Sequence, residues 1–204
     1  MNHAGRLVLL LALAAAWGAR ADEPPVPPTD TARITDDALR GVGGRVAVNQ
    51  AAGIGNTQAN LAAVAANGAP SISAVQQPPE ATALDALRGR AAGARIDAHA
   101  LAGGDGLLAV NQAAGSGNAQ LNLFAVGAGA PADVRLAALD DAALAAVAAP
   151  PSTGTNPQSP AAPRTAVIAD GAFRGDRGVL QVNQTAGVGN ASTNAIVLSL
   201  GSTP

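Results

Sequence analysis

The same thirty-three-residue pattern occurs three times in this chain, at residues 34–66, 96–128 and 168–200, and the three segments align without a gap. Twelve positions are identical in all three copies: Ile34, Ala38, Gly41, Gly44, Val48, Asn49, Gln50, Ala52, Gly53, Gly55, Asn56 and Asn60, with counterparts 62 and 134 residues further on. Ten of the twelve are Gly, Ala, Asn or Gln, so the repeated object is a backbone shape lined with amides. A catalytic site would need its residues only once.

Within a repeat, Arg45 to Ala52 and Thr57 to Val64 read as two strands flanking a Gly53-Ile54-Gly55-Asn56 turn, where Gly and Asn tolerate the positive φ of a tight reversal. Alternation along the strands puts Val46, Val48, Gln50 and Ala52 of the first, and Asn56, Gln58, Asn60, Ala62 and Val64 of the second, on one inner face of a β-arch. Upstream, Ile34 to Leu39 with Gly41 and Gly44 suggests a shorter third strand. One arch cannot cover its own strand edges. Three arches stacked in register satisfy backbone N–H and C=O groups between rungs about 4.8 Å apart.

The expected fold is therefore an all-β repeat, a three-rung β-arch or β-solenoid that is cross-β in a fibre. Identical residues then fall into columns: Asn49, Asn111 and Asn183; Gln50, Gln112 and Gln184; Asn56, Asn118 and Asn190; Asn60, Asn122 and Asn194. Side-chain amides carry both donor and acceptor and can bond along such a column, where an unpaired buried amide would cost roughly 1–3 kcal/mol. These columns are the candidate self-assembly ladders, and Gly53, Gly55, Gly115, Gly117, Gly187 and Gly189 are the turn glycines. No capping repeat of distinct sequence closes the stack, and open edges recruit further copies of the same shape.

Residues 1–21 read as a signal peptide: Arg6, an apolar run from Leu7 to Ala16, and Ala19-Arg20-Ala21 before Asp22. The run is shorter than the roughly 20 residues a bilayer needs, so an exported chain is expected. Beyond the leader there are ten Arg, no Lys and fourteen Asp and Glu, which gives no electrostatic footprint for nucleic acid. No Cys is present, so disulfide staples and thiolate zinc ligands are both excluded. Phe124 and Phe173 are the sole aromatics after the leader, so little apolar area is available for a conventional core at about 25 cal/mol per Å².

The remaining organisation is an N-terminal segment (22–33), linkers at 67–95 and 129–167, and a tail (201–204). The linkers are Ala- and Pro-rich and differ in length, which loop-closure entropy tolerates at well under about 0.6 kcal/mol. They are expected to be disordered or partly helical, the helical candidates being Glu80 to Ala91 and Ala132 to Ala149.

The segment Asn49-Gln50-Ala51-Ala52-Gly53-Ile54-Gly55-Asn56 resembles the repeats of bacterial functional amyloids, combining elements of the curli-type Gln-x-Gly-x-Gly-Asn and the Fap-type Asn-x-Ala-Ala-Gly-x-x-Asn. Long, unequal linkers between three repeats are similar to the Fap arrangement. The Cys-x-x-Cys found near the carboxyl terminus of Fap fibre subunits has no counterpart here, nor do the aromatic positions frequent in curli subunits. The resemblance implies a secreted fibre subunit, or a minor component or nucleator of a fibre. Such a protein crosses the periplasm, reaches the cell surface and matrix, and supports biofilm and adhesion. Its implied partners are itself or a related amyloid subunit, an outer-membrane export channel and a periplasmic chaperone, with no cofactor and no nucleic acid.

The alternative is a monomeric β-solenoid serving as a surface adhesion or binding module. An enzyme is not expected: His99 stands where the other copies have Asp37 and Gly171, and the adjacent pairs Asp36-Asp37 and Asp140-Asp141 point apart on any regular element. Gly103-Gly104-Asp105-Gly106 resembles a calcium β-roll turn but occurs once, whereas such turns repeat. No metal site follows from it.

Overall fold

The computed structural model describes residues 29–68, 70–75, 89–129, 133–137 and 162–200. These form eleven strands and no helix. The first layer, which begins just upstream of the aligned repeat, consists of β1 (Thr29–Ile34), β2 (Gly43–Ala52) and β3 (Thr57–Gly68), followed by β4 (Ser71–Val75). The second supplies β5 (Ala91–Ile96), β6 (Asp105–Ser116) and β7 (Ala119–Gly129), followed by β8 (Asp133–Ala137). The third supplies β9 (Arg164–Ile168), β10 (Arg177–Val188) and β11 (Ala191–Leu200).

Strands pair between repeats in three parallel three-stranded sheets, ordered β1-β5-β9, β10-β6-β2 and β11-β7-β3, with a two-stranded sheet β4-β8 beside them. The second repeat is the middle layer of each three-stranded sheet, and the register sets each residue against its counterpart: Asn49 against Asn111 against Asn183, Asn60 against Asn122 against Asn194. A one-residue slip would move every apolar side chain to the opposite face, so near-identical repeats hold the register of their neighbours.

The apolar residues make two small cores on either side of an amide-filled space. Between the β1 and β2 sheets, Ile34, Ile96, Leu101, Leu108 and Val110 pack with Val46, Val48 and Val182, beside a cluster of alanines that includes Ala32, Ala94 and Ala114. On the far side of the third sheet, Leu61, Ala63, Leu123 and Ala125 pack against Ile72 of β4. Val197 stands in the column of Ala63 and Ala125, where no β4 equivalent covers it among the described residues, and is 46 % exposed.

Three expectations are corrected. The upstream strand is Thr29–Ile34, whereas residues 36–41 are a turn in which Asp37 and Leu39 take φ of 58° and 57°. The next repeat repeats this turn at His99 and Leu101. There, burying Leu101 completely, worth about 1.5–3 kcal/mol, offsets the roughly 1–2 kcal/mol of a left-handed residue. The linkers, second, are partly strand: β4 and β8 pair in register, so the stretch 132–149 opens on a strand where a helix was expected. Its remainder, most of Glu80 to Ala91, the leader and the tail lie outside the described residues.

The third correction concerns the inner face. Val46, Val48, Gln50 and Ala52 do share a face, but it turns towards β1, and Val64 is 74 % exposed. A third sheet accounts for this: once β1 packs on β2, the apolar parity of β2 has a partner, and the opposite parity, carrying Asn49, is left to meet β3.

Candidate functional site: amide columns and glycine turns

Asn49 and Asn60 reach across from β2 and β3 into one space. Asn60 Nδ2 donates to the Val48 carbonyl at 3.0 Å and to Asn49 Oδ1 at 2.8 Å. Asn122 does the same to Val110 and Asn111, and Asn194 to Val182 and Asn183, every distance being 3.0 Å. The backbone carbonyl fixes which end of each amide is nitrogen. Each remaining oxygen then accepts from the following repeat: Asn111 Nδ2 donates to Asn49 Oδ1 at 3.0 Å, Asn183 to Asn111 at 3.0 Å, Asn122 to Asn60 at 2.9 Å and Asn194 to Asn122 at 3.1 Å.

The glutamine column lies on the other side of the same sheet. Gln50, Gln112 and Gln184 donate to the carbonyls of Arg33, Arg95 and Val167, tying β2, β6 and β10 to the β1 sheet. Along the column Gln112 Nε2 donates to Gln50 Oε1 at 2.7 Å and Gln184 to Gln112 at 2.8 Å. At the turn, Asn118 Nδ2 donates to Asn56 Oδ1 at 2.9 Å and Asn190 to Asn118 at 2.7 Å. Every predicted ladder residue is thus in a bonded column. They occupy separate spaces, however, where Gln50, Asn56 and Asn60 were expected on one inner face. Asn111, Gln112, Asn118 and Asn122 of the middle repeat are fully buried, and Asn49 of the first is exposed.

A further column escaped the twelve-position identity because it is not identical. Gln58 and Gln120 donate to the carbonyls of Gln50 and Gln112 at 3.0 Å, and Gln58 Nε2 donates to Gln120 Oε1 at 2.7 Å. The third copy has Ser192, and Thr185 Oγ1 on the facing strand takes the Gln120 donor at 3.2 Å. Gln in two copies of three, with Thr replacing Ala opposite the exception, is the signal that could have found it.

The glycines set how closely the layers approach. Gly53 and Gly115 have φ of 108° and 96°, and a Cβ on either would stand 2.1 Å and 2.0 Å from the carbonyl oxygen of the glycine in the next repeat. Gly106 and Gly178 are equally crowded, at 2.2 Å. Gly55, Gly117 and Gly189, at 70°, 68° and 72°, are left-handed turn positions. His99 is exposed at φ 59°, in a column with Asp37 at 58° and Gly171 at 81°, so its place reflects turn geometry.

Asp97 joins two layers by charge. It accepts from Arg33 Nε of the first repeat and Arg95 Nε of the second, both at 2.6 Å, while its own side chain is only 5 % exposed. The Arg33 hydrogen bond, opposed by burial and aided by Arg95, holds its pKa below the ordinary carboxylate range. A depressed folded pKa means that the contribution is complete above the unfolded value of about 3.9 and is lost as pH falls through the folded one. Asp97→Asn is therefore expected to lower the urea midpoint at pH 7, and the gap from wild type should narrow as pH falls below the ordinary carboxylate range. A gap independent of pH would show that the pair acts by shape alone.

These features define an all-β repeat protein whose polar interior is paired from layer to layer and whose end strands have one strand neighbour each among the described residues. The model of the functional amyloid protein FapB/FapC family matches residues 14–201. The chain belongs to that family, a Fap-like bacterial functional amyloid subunit. This is a structural amyloid family, and membership implies an extracellular fibre. No solved structure matches the chain.

Proposed function

We propose that the chain is an exported fibre subunit, or a minor component or nucleator, that adds to an extracellular amyloid as a three-rung β-solenoid. Residues 1–21 would be its signal peptide, and an export channel and periplasmic chaperone would serve it, supporting biofilm matrix and adhesion. The observation that carries this reading is the state of the ends. β2 and β3 on one side, and β10 and β11 on the other, pair with one neighbour only among the described residues, yet carry the same amides and glycines as the fully paired middle repeat. An edge of that kind accepts another strand of the same pattern.

Incubating the chain without shaking should give fibres with reflections near about 4.7 and 10 Å and a nucleated time course in thioflavin fluorescence. Gln50→Ala, Gln112→Ala and Gln184→Ala together should lengthen the lag several-fold and raise solubility. Lag times matching wild type would remove the glutamine column from templating. A chain that stays monomeric and β-rich, and joins no fibre of a related subunit, would instead be a solenoid binding module.

A further inference from the structure

The two ends of the molecule differ chemically, although the repeats that make them are alike. In the four predicted columns the amide nitrogen of each repeat points to the repeat before it and the oxygen receives from the repeat after it. The first-repeat end therefore presents the donor side of those columns, and the third-repeat end the acceptor side. The Gln58 column runs the other way but stops at Ser192, so it does not extend to that end.

Charge marks the same difference. In the β1 sheet Asp30 is in register with Ala92, and Ala92 with Arg164. Asp30 Oδ2 lies 3.2 Å from the position that a Cβ on Gly53 would take, and Arg164 Cδ lies 3.2 Å from the equivalent position on Gly187. Both side chains thus lie over the glycine turn of their own repeat. Within one chain they are two layer steps apart, with alanine between. Across a junction that continued the stack they would be one step apart, about 4.8 Å.

We propose that the ends are complementary to each other and not to themselves: a second copy of the chain seats its first repeat on the third repeat of the first copy, and Arg164 closes on the Asp30 of the incoming molecule. Asp30 already accepts from Arg90 of its own chain through both oxygens, but a carboxylate has about four lone-pair sites. Asp97, directly after β5 of the same sheet, shows the arrangement, holding one arginine from its own layer and one from the layer beneath. The reversed contact, first repeat on first repeat, would set donor amides against donors and Asp30 against Asp30. Assembly is then polar and head-to-tail, a heterologous contact that does not close on itself and so propagates.

The proposal rests on self-assembly, and the test separates the two. Arg164→Asp is made in one chain, and Asp30→Arg with Arg90→Asp in another, so that the second keeps an inverted internal pair and its local fold. Each alone sets like charges at every head-to-tail junction and should elongate roughly tenfold or more slowly than wild type. An equimolar mixture restores opposite charges at every alternating junction and should recover wild-type elongation, which misfolded chains could not do. The three substitutions in one chain should likewise restore it. If the mixture is as slow as its components, or either variant alone matches wild type, the head-to-tail junction is wrong while self-assembly stands. If wild type itself forms no fibres, the self-assembly reading falls and the junction with it.

Discussion

Gly115→Ala is expected to cause one of the two largest losses of stability among alanine substitutions in the repeats. Its Cβ would stand 2.0 Å from the Gly187 carbonyl oxygen and 2.8 Å from the carbonyl carbon, so β6 and β10 would have to separate where they now pair. The φ of 96° adds the strain of a left-handed residue. Together these amount to about 2–5 kcal/mol, from about 1–2 for the dihedral and 1–3 for overpacking. The control is Gly93→Ala in the neighbouring sheet, where nothing lies within 4 Å of the new Cβ and φ is not positive. It should change the unfolding free energy by less than about 0.5 kcal/mol. Similar midpoints for the two variants would mean that the glycine contact does not limit the layer spacing. Gly44 completes the comparison: its φ is 81°, but no atom lies within 4 Å, so alanine there meets the dihedral cost alone in the monomer.

The second large effect is at Asn122, where position in the stack decides the magnitude. Asn122→Ala removes the donors to Val110 O, Asn111 Oδ1 and Asn60 Oδ1, and the acceptor used by Asn183 and Asn194, all in a space without water-exposed alternatives for the middle repeat. At roughly 1–3 kcal/mol for each buried group left unpaired, a loss above about 3 kcal/mol is expected. Asn194→Ala makes the same chemical change at an end layer, where Asn194 itself is only half-buried, and should cost about half as much. Equal losses at the two sites in denaturant titrations would show that each asparagine stabilises only its own layer.

Both expectations depend on residues that the repeat alignment identified before any fold was known. Near-identity of three segments dictated in-register parallel pairing, because only that pairing places Asn on Asn and Gly on Gly. The turn at Gly53 to Asn56 was legible for a similar reason: positive φ at Gly53 and Gly55 excludes most other residues. Alternation correctly grouped Val46, Val48, Gln50 and Ala52.

What alternation could not supply was the neighbour. Period-two patterning assigns residues to a face but does not say which sheet covers it, and the upstream strand was read at Ile34–Leu39, five residues beyond its observed start at Thr29. Left-handed φ at Leu39 has no signature in a residue that ordinarily avoids it, and at Asp37 the signal is confined to Gly171 and His99 in the same column. β4 and β8 were hidden for a different reason, since they lie outside the aligned repeats and the Ala-rich stretch around β8 has high helix propensity. Tertiary pairing overrode that propensity, as it does when a strand finds a register partner.

The sequence by itself thus determined the repeat, its register, the residues that form the columns and the glycines that let layers approach, because each of these follows from one segment meeting a copy of itself. Only the tertiary structure decided that the asparagine and glutamine columns occupy opposite sides of a sheet, that Asp97 ties two layers through Arg33 and Arg95, and that Asp30 and Arg164 stand in one column at opposite ends. Those facts arise between different segments, or between the first and last layers, where no internal copy exists to compare and contact geometry alone sets which groups meet.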